Sequence, residues 1–180
     1  MDNAVLKVRR ICIDTETTGM SRELDRICEI GAVEIDEAGN VVSSFHAYVN
    51  PQCPVHWAAL RVHGLSDAFL SDKPTFDAVA EDFIDFVRGS ELYAHNMSFD
   101  SGFLNAELDR HEFLTLTDYG CTLNCTLQTA RRLYPKQKNN LDAVCERLGI
   151  DTSSRTKHGA LLDSELLAAV LHCWDKGTGV

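Results

Sequence analysis

Residues 8–19 read VRRICIDTETTG, an apolar run followed at once by two acids and a glycine. The run Ile11-Cys12-Ile13 is typical of an interior β-strand, and because side chains alternate along a strand, Asp14 and Glu16 point to the same face. A carboxylate pair beside a buried strand is costly unless a cation is bound, and Mg²⁺ prefers such oxygen ligands. The stretch indicates a strand that ends in a metal-binding pair. A solvated pair on an exposed sheet face is the alternative at this point.

The segments that follow predict an α/β fold. The first three strands, 8–15, 26–35 and 41–49, are expected to form an antiparallel meander. An irregular stretch holding Trp57, Val62, His63 and Gly64 comes next. Helical spacing or helix-ending residues then predict helices at 75–87, 98–112, 126–134, 141–148 and 159–174, with a strand at 91–94. This order predicts a mixed sheet flanked by helices, in one domain of residues 5–175 with a disordered tail at 176–180.

Composition narrows the class of protein. The 180 residues are 44% hydrophobic and 24% charged, which is typical of a soluble globular chain. A net charge of -10 argues against a broad grip on duplex nucleic acid, although metal ions could help an enzyme to bind a short polyanion. The seven cysteines form no CxxC pair and read as reduced core residues. Without a signal-peptide core or an apolar run near ~18 residues, we expect a cytoplasmic protein with no membrane partner.

Further along the chain, three residues could join the first pair of acids. Asp100 follows the strand at 91–94, and ligands gather beyond strand ends in open sheets, but an acid there could also complement a helix dipole. Asp163 lies five residues after His158. Five helical residues rotate by about 500°, so both reach one point only if His158 lies in the loop before the helix, with Gly159 as a hinge. The alternatives are a surface histidine and another helix N-terminal acid.

Taken together, these residues resemble the DEDDh exonuclease family. The pattern is Asp14-x-Glu16, then Asn96-x-x-Phe99-Asp100, then His158-x-x-x-x-Asp163. The residues around these motifs are similar to those of the epsilon subunits, the proofreading exonucleases of bacterial DNA polymerase III. That similarity runs through residues 14–19, 29–33, 62–65, 73–76, 140–143 and 158–163, and covers the chain from about residue 8 to 172.

The resemblance implies a ribonuclease H-like fold, in which parallel strands join the meander, and 3'→5' hydrolysis of single-stranded ends. It implies two divalent ions, Mg²⁺ or Mn²⁺, held by Asp14, Glu16, Asp100 and Asp163, with His158 as the general base. The end of the substrate strand would contact Glu16, Thr18, Gly19, His63, Asn96 and Phe99.

The substrate expected from the resemblance is the 3' end of single-stranded or frayed DNA, cut during proofreading, with a polymerase catalytic subunit as a possible partner. A stand-alone enzyme that trims RNA or short oligonucleotides is the first alternative. A metal-free interaction module that kept the fold is the second.

Overall fold

The strands form one mixed sheet in the computed structural model, which describes residues 8–153, 155 and 157–178. They are β1 (Arg10–Thr17), β2 (Ile27–Ile35), β3 (Val41–Tyr48), β4 (Glu91–Ala94) and β5 (Thr122–Cys125). Their order across the sheet is β3-β2-β1-β4-β5. The pairs β1–β2 and β2–β3 are antiparallel, whereas β1–β4 and β4–β5 are parallel. The predicted meander and mixed sheet are therefore confirmed.

Helices cover both faces of the sheet, so its central strand is buried on each side. The helices are α1 (Trp57–His63), α2 (Asp67–Leu70), α3 (Phe76–Val87), α4 (Met97–Arg110), α5 (Thr126–Leu133), α6 (Leu141–Leu148) and α7 (Ala160–Asp175). Ile11 and Ile13 of β1 point into a core shared with α3 and α4. Cys12 points the other way, into a core shared with α6 and α7. Alternate side chains of β1 therefore enter the two cores on opposite faces of the sheet, each covered by its own layer of helices.

The start of α7 lies directly on β2, and a glycine makes this possible. A Cβ added to Gly31 would lie 2.2 Å from the backbone carbon of Ala160, a separation that real Cβ atoms do not show. Ser164 fixes the same contact, because its hydroxyl donates to the Gly31 carbonyl at 2.9 Å. The absent side chain on β2 therefore sets how closely the first turns of α7 approach the sheet.

Three elements depart from the predictions. The stretch predicted as irregular contains α1, which is capped by His56 and ends at Gly64 with φ 78°, and α2 follows it. Strand β5 was not predicted, because it has only four residues and is stabilised by pairing with β4 rather than by a local sequence pattern. Strand β1 extends to Thr17, two residues beyond its predicted end, because its pairing with β2 continues that far. Its acids therefore lie within the strand.

The remaining structural expectations concern cysteines, membrane spans and the tail. All seven cysteines are free thiols, as predicted. Among the described residues, no helix is both long and apolar enough to cross a membrane. Residues 176–178 form a turn closed by hydrogen bonds back to α7. The rest of the predicted tail, and residues 5–7 of the predicted domain, lie outside the described residues.

Candidate active site

The two acids of β1 face the layer that contains α7. They continue the face that Cys12 presents to the core, with Asp14 half-buried and Glu16 8% exposed. Glu16 lies opposite Glu29 of β2 in the strand register. Glu29 has its own partner, since its Oε1 lies 2.8 Å from His46 Nε2. The charge of Glu29 is also one of the causes that raise the pKa of Glu16.

Asp100 approaches β1 from the opposite face. It lies in the first turn of α4 and is 3% exposed. Its Oδ1 accepts the Thr15 backbone N–H at 3.0 Å and the Thr15 hydroxyl at 2.9 Å. Because Thr15 alternates with Asp14 and Glu16, one strand carries two acids on one side and anchors a third on the other.

The fourth acid, Asp163, belongs to α7 and is 3% exposed. Its Oδ2 accepts from Arg155 Nη2 at 2.6 Å and lies 3.0 Å from His158 Nδ1. As predicted, His158 lies before the helix, which begins after Gly159, and its side chain is 45% exposed. Arg155 also pairs with Asp142 in the first turn of α6. This guanidinium thus joins two carboxylates from neighbouring helices.

Crowding of the acids changes their proton affinities. Burial first, and then the charges of Asp100, Asp163 and Glu16, raise the pKa of Asp14 well above its usual range. Burial and nearby carboxylates raise the pKa of Glu16 to about 8. Burial raises the pKa of Asp100 to about 7, although its hydrogen bonds from Thr15 act in the opposite direction. Arg155 opposes the shifts at Asp14 and Glu16. In water the cluster therefore carries protons that a bound cation would displace.

The donor set fits a divalent cation. Glu16, His158 and Asp163 each offer one ligand atom, and these atoms lie within 4.8 Å of one another. Asp163 Oδ1 is buried and has no hydrogen-bond partner among the described residues. An unpaired buried acceptor costs about 1–3 kcal/mol, and carboxylate oxygens are what hard cations bind. Asp14 and Asp100 are not within that spacing of the group, but the Asp14 carboxylate interacts electrostatically with both Asp163 and Glu16.

A cavity of about 630 Å³ opens beside these acids. Four residues expected to contact a substrate line it: Glu16, Gly19, His63 and Phe99. Glu16 therefore belongs both to the acidic cluster and to the cavity wall. This shared residue places the metal-binding group within reach of anything bound in the cavity.

The histidine in this wall has a defined tautomer. Leu65 N–H donates to His63 Nδ1 at 3.0 Å, so in the neutral ring the proton sits on Nε2. Burial lowers the pKa of His63, which keeps the ring neutral. His63 Nε2 is buried and has no hydrogen-bond partner among the described residues. Its proton is therefore available to a ligand in the cavity or to the backbone of Thr17, which interacts with the same ring.

Two other residues expected to contact the substrate lie elsewhere. Thr18 is fully buried, with its N–H bonded to the Arg26 carbonyl and its own carbonyl accepting from His56 N–H. It supports the cavity wall from behind. Asn96 is exposed, has φ 111° before α4, and accepts a hydrogen bond from Ser98 at 3.2 Å.

With this geometry established, comparison with known proteins assigns the family. The model of the family described as Exonuclease matches residues 11–171. The chain belongs to this exonuclease family. Solved exonucleases share the fold, among them exonuclease I with a TM-score of 0.83 at 17% identity, over 94% of this chain and 41% of that one. The ribonuclease H-like fold class is thereby confirmed.

Within the exonuclease family, several relatives are similar over nearly the whole chain. DNA polymerase III subunit epsilon of Pasteurella multocida is 48% identical over 90% of this chain and 66% of its own length. The same subunit of Escherichia coli is 45% identical over 90% of this chain and 69% of its own. The chain thus spans about two thirds of these relatives. Exonuclease X, solved in complex with 5' overhanging duplex DNA, is 28% identical with a TM-score of 0.70, covering 95% of this chain and 93% of that one.

Some residues of this exonuclease site could not be found from the sequence. Thr15 holds Asp100, but a threonine in a strand gives no sign of such a bond. Asp142 is a polar surface type, and its pairing with Arg155, which lies in the loop before α7, appears only when α6 and α7 pack together. The α1 side chains that line the cavity, such as Ala58 and Ala59, carry no chemical signal. The helix that presents them is too short for its pattern to stand out.

Proposed function

We propose that this chain is a metal-dependent 3'→5' exonuclease that releases 5'-mononucleotides from single-stranded or frayed DNA ends during proofreading. The observation that carries the proposal is that Glu16 is shared between a cluster of buried acids and an adjoining cavity. The epsilon relatives, about 45–48% identical, support the replicative role.

The cofactors of this reaction are two divalent ions, Mg²⁺ or Mn²⁺. Asp14, Glu16 and Asp163 would hold one ion, and Asp14 with Asp100 would hold the other. When bound, two such ions stabilise the charge that develops on the attacking and leaving oxygens. Asp163 Oδ1, buried without a partner in the described part of the chain, supports this ligand set.

His158 would act as the general base. Its Nδ1 lies 3.0 Å from Asp163 Oδ2. Arg155 Nη2 also lies 2.5 Å from His158 Nδ1, and a guanidinium can only donate. When Nδ1–H instead donates to the Asp163 carboxylate, Nε2 is left unprotonated and can take a proton from water. The ring is about half-exposed, which gives water access to it. Asp163 would therefore orient the base as well as bind a cation.

The cavity would hold the terminal nucleotide. Glu16 and Gly19 lie where the sugar with the free 3'-hydroxyl would enter, and His63 Nε2–H can donate to it. Phe99 packs against Phe103 at 4.8 Å between ring centroids and presents its remaining surface to the cavity, where a base can lie against it. If the terminal nucleotide occupies this cavity, the enzyme would require a free strand end, as the test below examines.

The partner would be the catalytic subunit of a replicative polymerase, since the relatives are named as a subunit of DNA polymerase III. A proofreading exonuclease acts on the strand end that a polymerase has just made. Association of the two would deliver frayed 3' ends to the cavity.

The test compares three labelled DNA single strands in Mg²⁺: one with a free 3'-hydroxyl, one with a 3'-phosphate, and one circular. We expect mononucleotides from the first and resistance of the other two. Paired ends should be slower, because extruding a base costs about a few kcal/mol. Rapid cutting of the circle would overturn the proposal. Preference for an RNA strand would instead indicate a trimming enzyme, and inactivity towards all strands with any divalent ion would indicate an interaction module.

A further inference from the structure

We propose that a second groove, on the α5 side of the sheet, binds phosphates of the substrate strand upstream of the bond that is cut. The groove has a volume of about 550 Å³. We call it the basic groove, and its lining includes His95, Arg131, Lys136, Gln137, Asn139 and Asn140. The inference rests on the proposed exonuclease function and extends it from the terminal nucleotide to the strand that follows.

The charge of the basic groove is opposite to that of the chain. Arg131 and Lys136 are exposed cations in a chain of net charge -10, and none of the residues lining the groove is acidic. Within the described part of the chain, neither side chain forms an ion pair or a hydrogen bond. Two unpaired cations without a facing carboxylate form a site for anions.

The loop that carries Lys136 is held in a strained conformation. Lys136 has φ 66°, a region that residues other than glycine rarely adopt. Asn139 Nδ2 donates to the carbonyls of Tyr134 at 3.1 Å and Gln137 at 3.0 Å, and Arg147 Nη2 donates to the Lys138 carbonyl at 2.9 Å. Backbone strain that is kept in place by surrounding contacts tends to occur at binding sites. Here these bonds fix where the Lys136 side chain begins.

The position of the groove connects it to the acidic site. His95 follows β4, the strand that leads through Asn96 into the helix carrying Asp100. The His95 ring bridges Thr126 Oγ1 at 3.1 Å and the Asn139 carbonyl at 2.7 Å, so it ties β4 to the basic groove. Because β1, β4 and β5 run parallel, their carboxyl ends share one edge of the sheet. The acids and the groove both lie at that edge.

One end of a helix adds to the attraction for anions. Helix α6 begins after Asn140, whose side chain makes no capping bond. The N-terminus of a helix carries partial positive charge and free N–H groups. Asp142 in the first turn of α6 offsets part of that charge, so the upstream phosphates of a strand whose 3' end lies in the cavity would be held mainly by the two cations. Such contacts recognise the backbone, so they are independent of base sequence.

The experiment measures how binding of single-stranded DNA depends on salt. The variant Arg131→Gln/Lys136→Asn removes both charges, and asparagine tolerates positive φ at the second position. Arg132→Gln is the matched control, since Arg132 is the next residue of α5, is exposed, and lines a different pocket. Binding of a labelled trinucleotide and of a strand several times longer is followed by fluorescence anisotropy in Ca²⁺, whose looser coordination is expected to slow hydrolysis.

For a single strand, each phosphate that a cation neutralises contributes about 0.7 to the slope of log K against log salt. We expect the slope of the double variant to be smaller by about 1.4 for the longer strand, with no such decrease for the trinucleotide or in Arg132→Gln. An unchanged slope in the double variant, or an equal decrease in the control, would overturn the proposal that the basic groove binds phosphates.

Hydrolysis is followed in parallel in Mg²⁺. A wild-type protein that binds the strand but never cuts it would overturn the proposed function while leaving this measurement of the groove intact.

Discussion

At the scale of single residues, Asp14 lies where the charges of the site act together. The carboxylates of Asp100, Asp163 and Glu16 all raise its pKa. Its backbone forms part of the central strand, so its position does not depend on the conformation of a loop. In its proposed role as a ligand of both ions, Asp14 is thus held in place by the sheet itself.

Replacing Asp14 with alanine should remove essentially all nuclease activity while the fold survives, because the loss of one acid relieves repulsion among the others. The rate should fall by well over tenfold, which corresponds to more than about 1.4 kcal/mol of transition-state stabilisation. Asp85→Ala is the control, since that carboxylate is 79% exposed on α3 and 3.8 Å from its partner Arg88. A variant that retained a tenth of the wild-type rate would contradict the ligand assignment.

His158→Ala should slow hydrolysis by roughly 10²–10⁴-fold, the usual contribution of a general base. Metal binding, followed by the change in melting temperature with Mn²⁺, should persist because the acids remain. At Mn²⁺ concentrations that keep the acids deprotonated, the pH–rate profile of the variant should lose the acidic limb that a histidine base produces. An unaltered acidic limb would mean that another group takes the proton.

The identity of these residues could be predicted, but their partners could not. Acids and a histidine in a fixed order are visible in a sequence. The bond from Thr15 to Asp100 crosses 85 residues, and no local pattern marks it. The tautomer of His63 likewise depends on a backbone N–H two residues away, in a turn that the sequence did not define.

At the scale of elements, the site depends on how helices meet the sheet. Long, strongly periodic segments such as α3 and α7 could be predicted to within a residue or two. The elements that were missed are short: α1 has seven residues and β5 has four. Their order comes from tertiary contacts, which override weak local preferences.

Gly31→Ala should destabilise the protein and weaken metal binding together, because the new Cβ would push the start of α7, and with it Asp163, away from β2. Overpacking of this kind costs about 1–3 kcal/mol or more. Gly102→Ala is the control: the three atoms nearest its added Cβ all belong to the Arg22 side chain rather than to backbone, and a side chain can move. Denaturant unfolding and titration with Mn²⁺ measure both effects. Equal stability of the two variants would show that α7 is not held by this contact.

Asp142→Asn should free Arg155 from α6 and loosen its hold on Asp163. Residues that orient metal ligands typically contribute 10–100-fold to affinity or activity, so we expect a loss of about tenfold or more in Mn²⁺ affinity. Asp77→Asn, which alters the corresponding first-turn acid of α3, serves as the control. Matching Mn²⁺ affinities in both variants would show that the Arg155 bridge is incidental.

At the scale of the whole molecule, the site makes stability depend on pH and on metal. The folded pKa values of Glu16 and Asp100, about 8 and about 7, lie above their ordinary values of 4.5 and 3.8. At pH values between the ordinary and the folded pKa of each group, that group is protonated more often in the folded protein than in the unfolded chain. The contribution of these two groups to the free energy of unfolding therefore falls as pH rises through this window, whereas His63 and His95, whose pKa values burial lowers, contribute in the opposite direction.

Without metal, the contribution of Glu16 and Asp100 should lower the melting temperature between about pH 5 and pH 8 as those two protons are lost. Mn²⁺ with a nucleoside monophosphate should raise it, most strongly at the upper end of the window, since ligands that bind only the native state stabilise it. Differential scanning calorimetry measures both effects. Glu16→Gln/Asp100→Asn should flatten the decline, and a slope that survives in this variant would assign it to other groups.

The order of the acids along the chain has a consequence for biosynthesis. Asp14 and Glu16 are translated well before Asp163, which lies on α7, the last helix in the described part of the chain. Chains emerge N-terminus first at about 5–20 residues per second, so the set of acids stays incomplete until nearly the whole sheet and its helices have been translated. On the proposed assignment, a growing chain therefore has no complete set of metal ligands until α7 has emerged and can dock against β2.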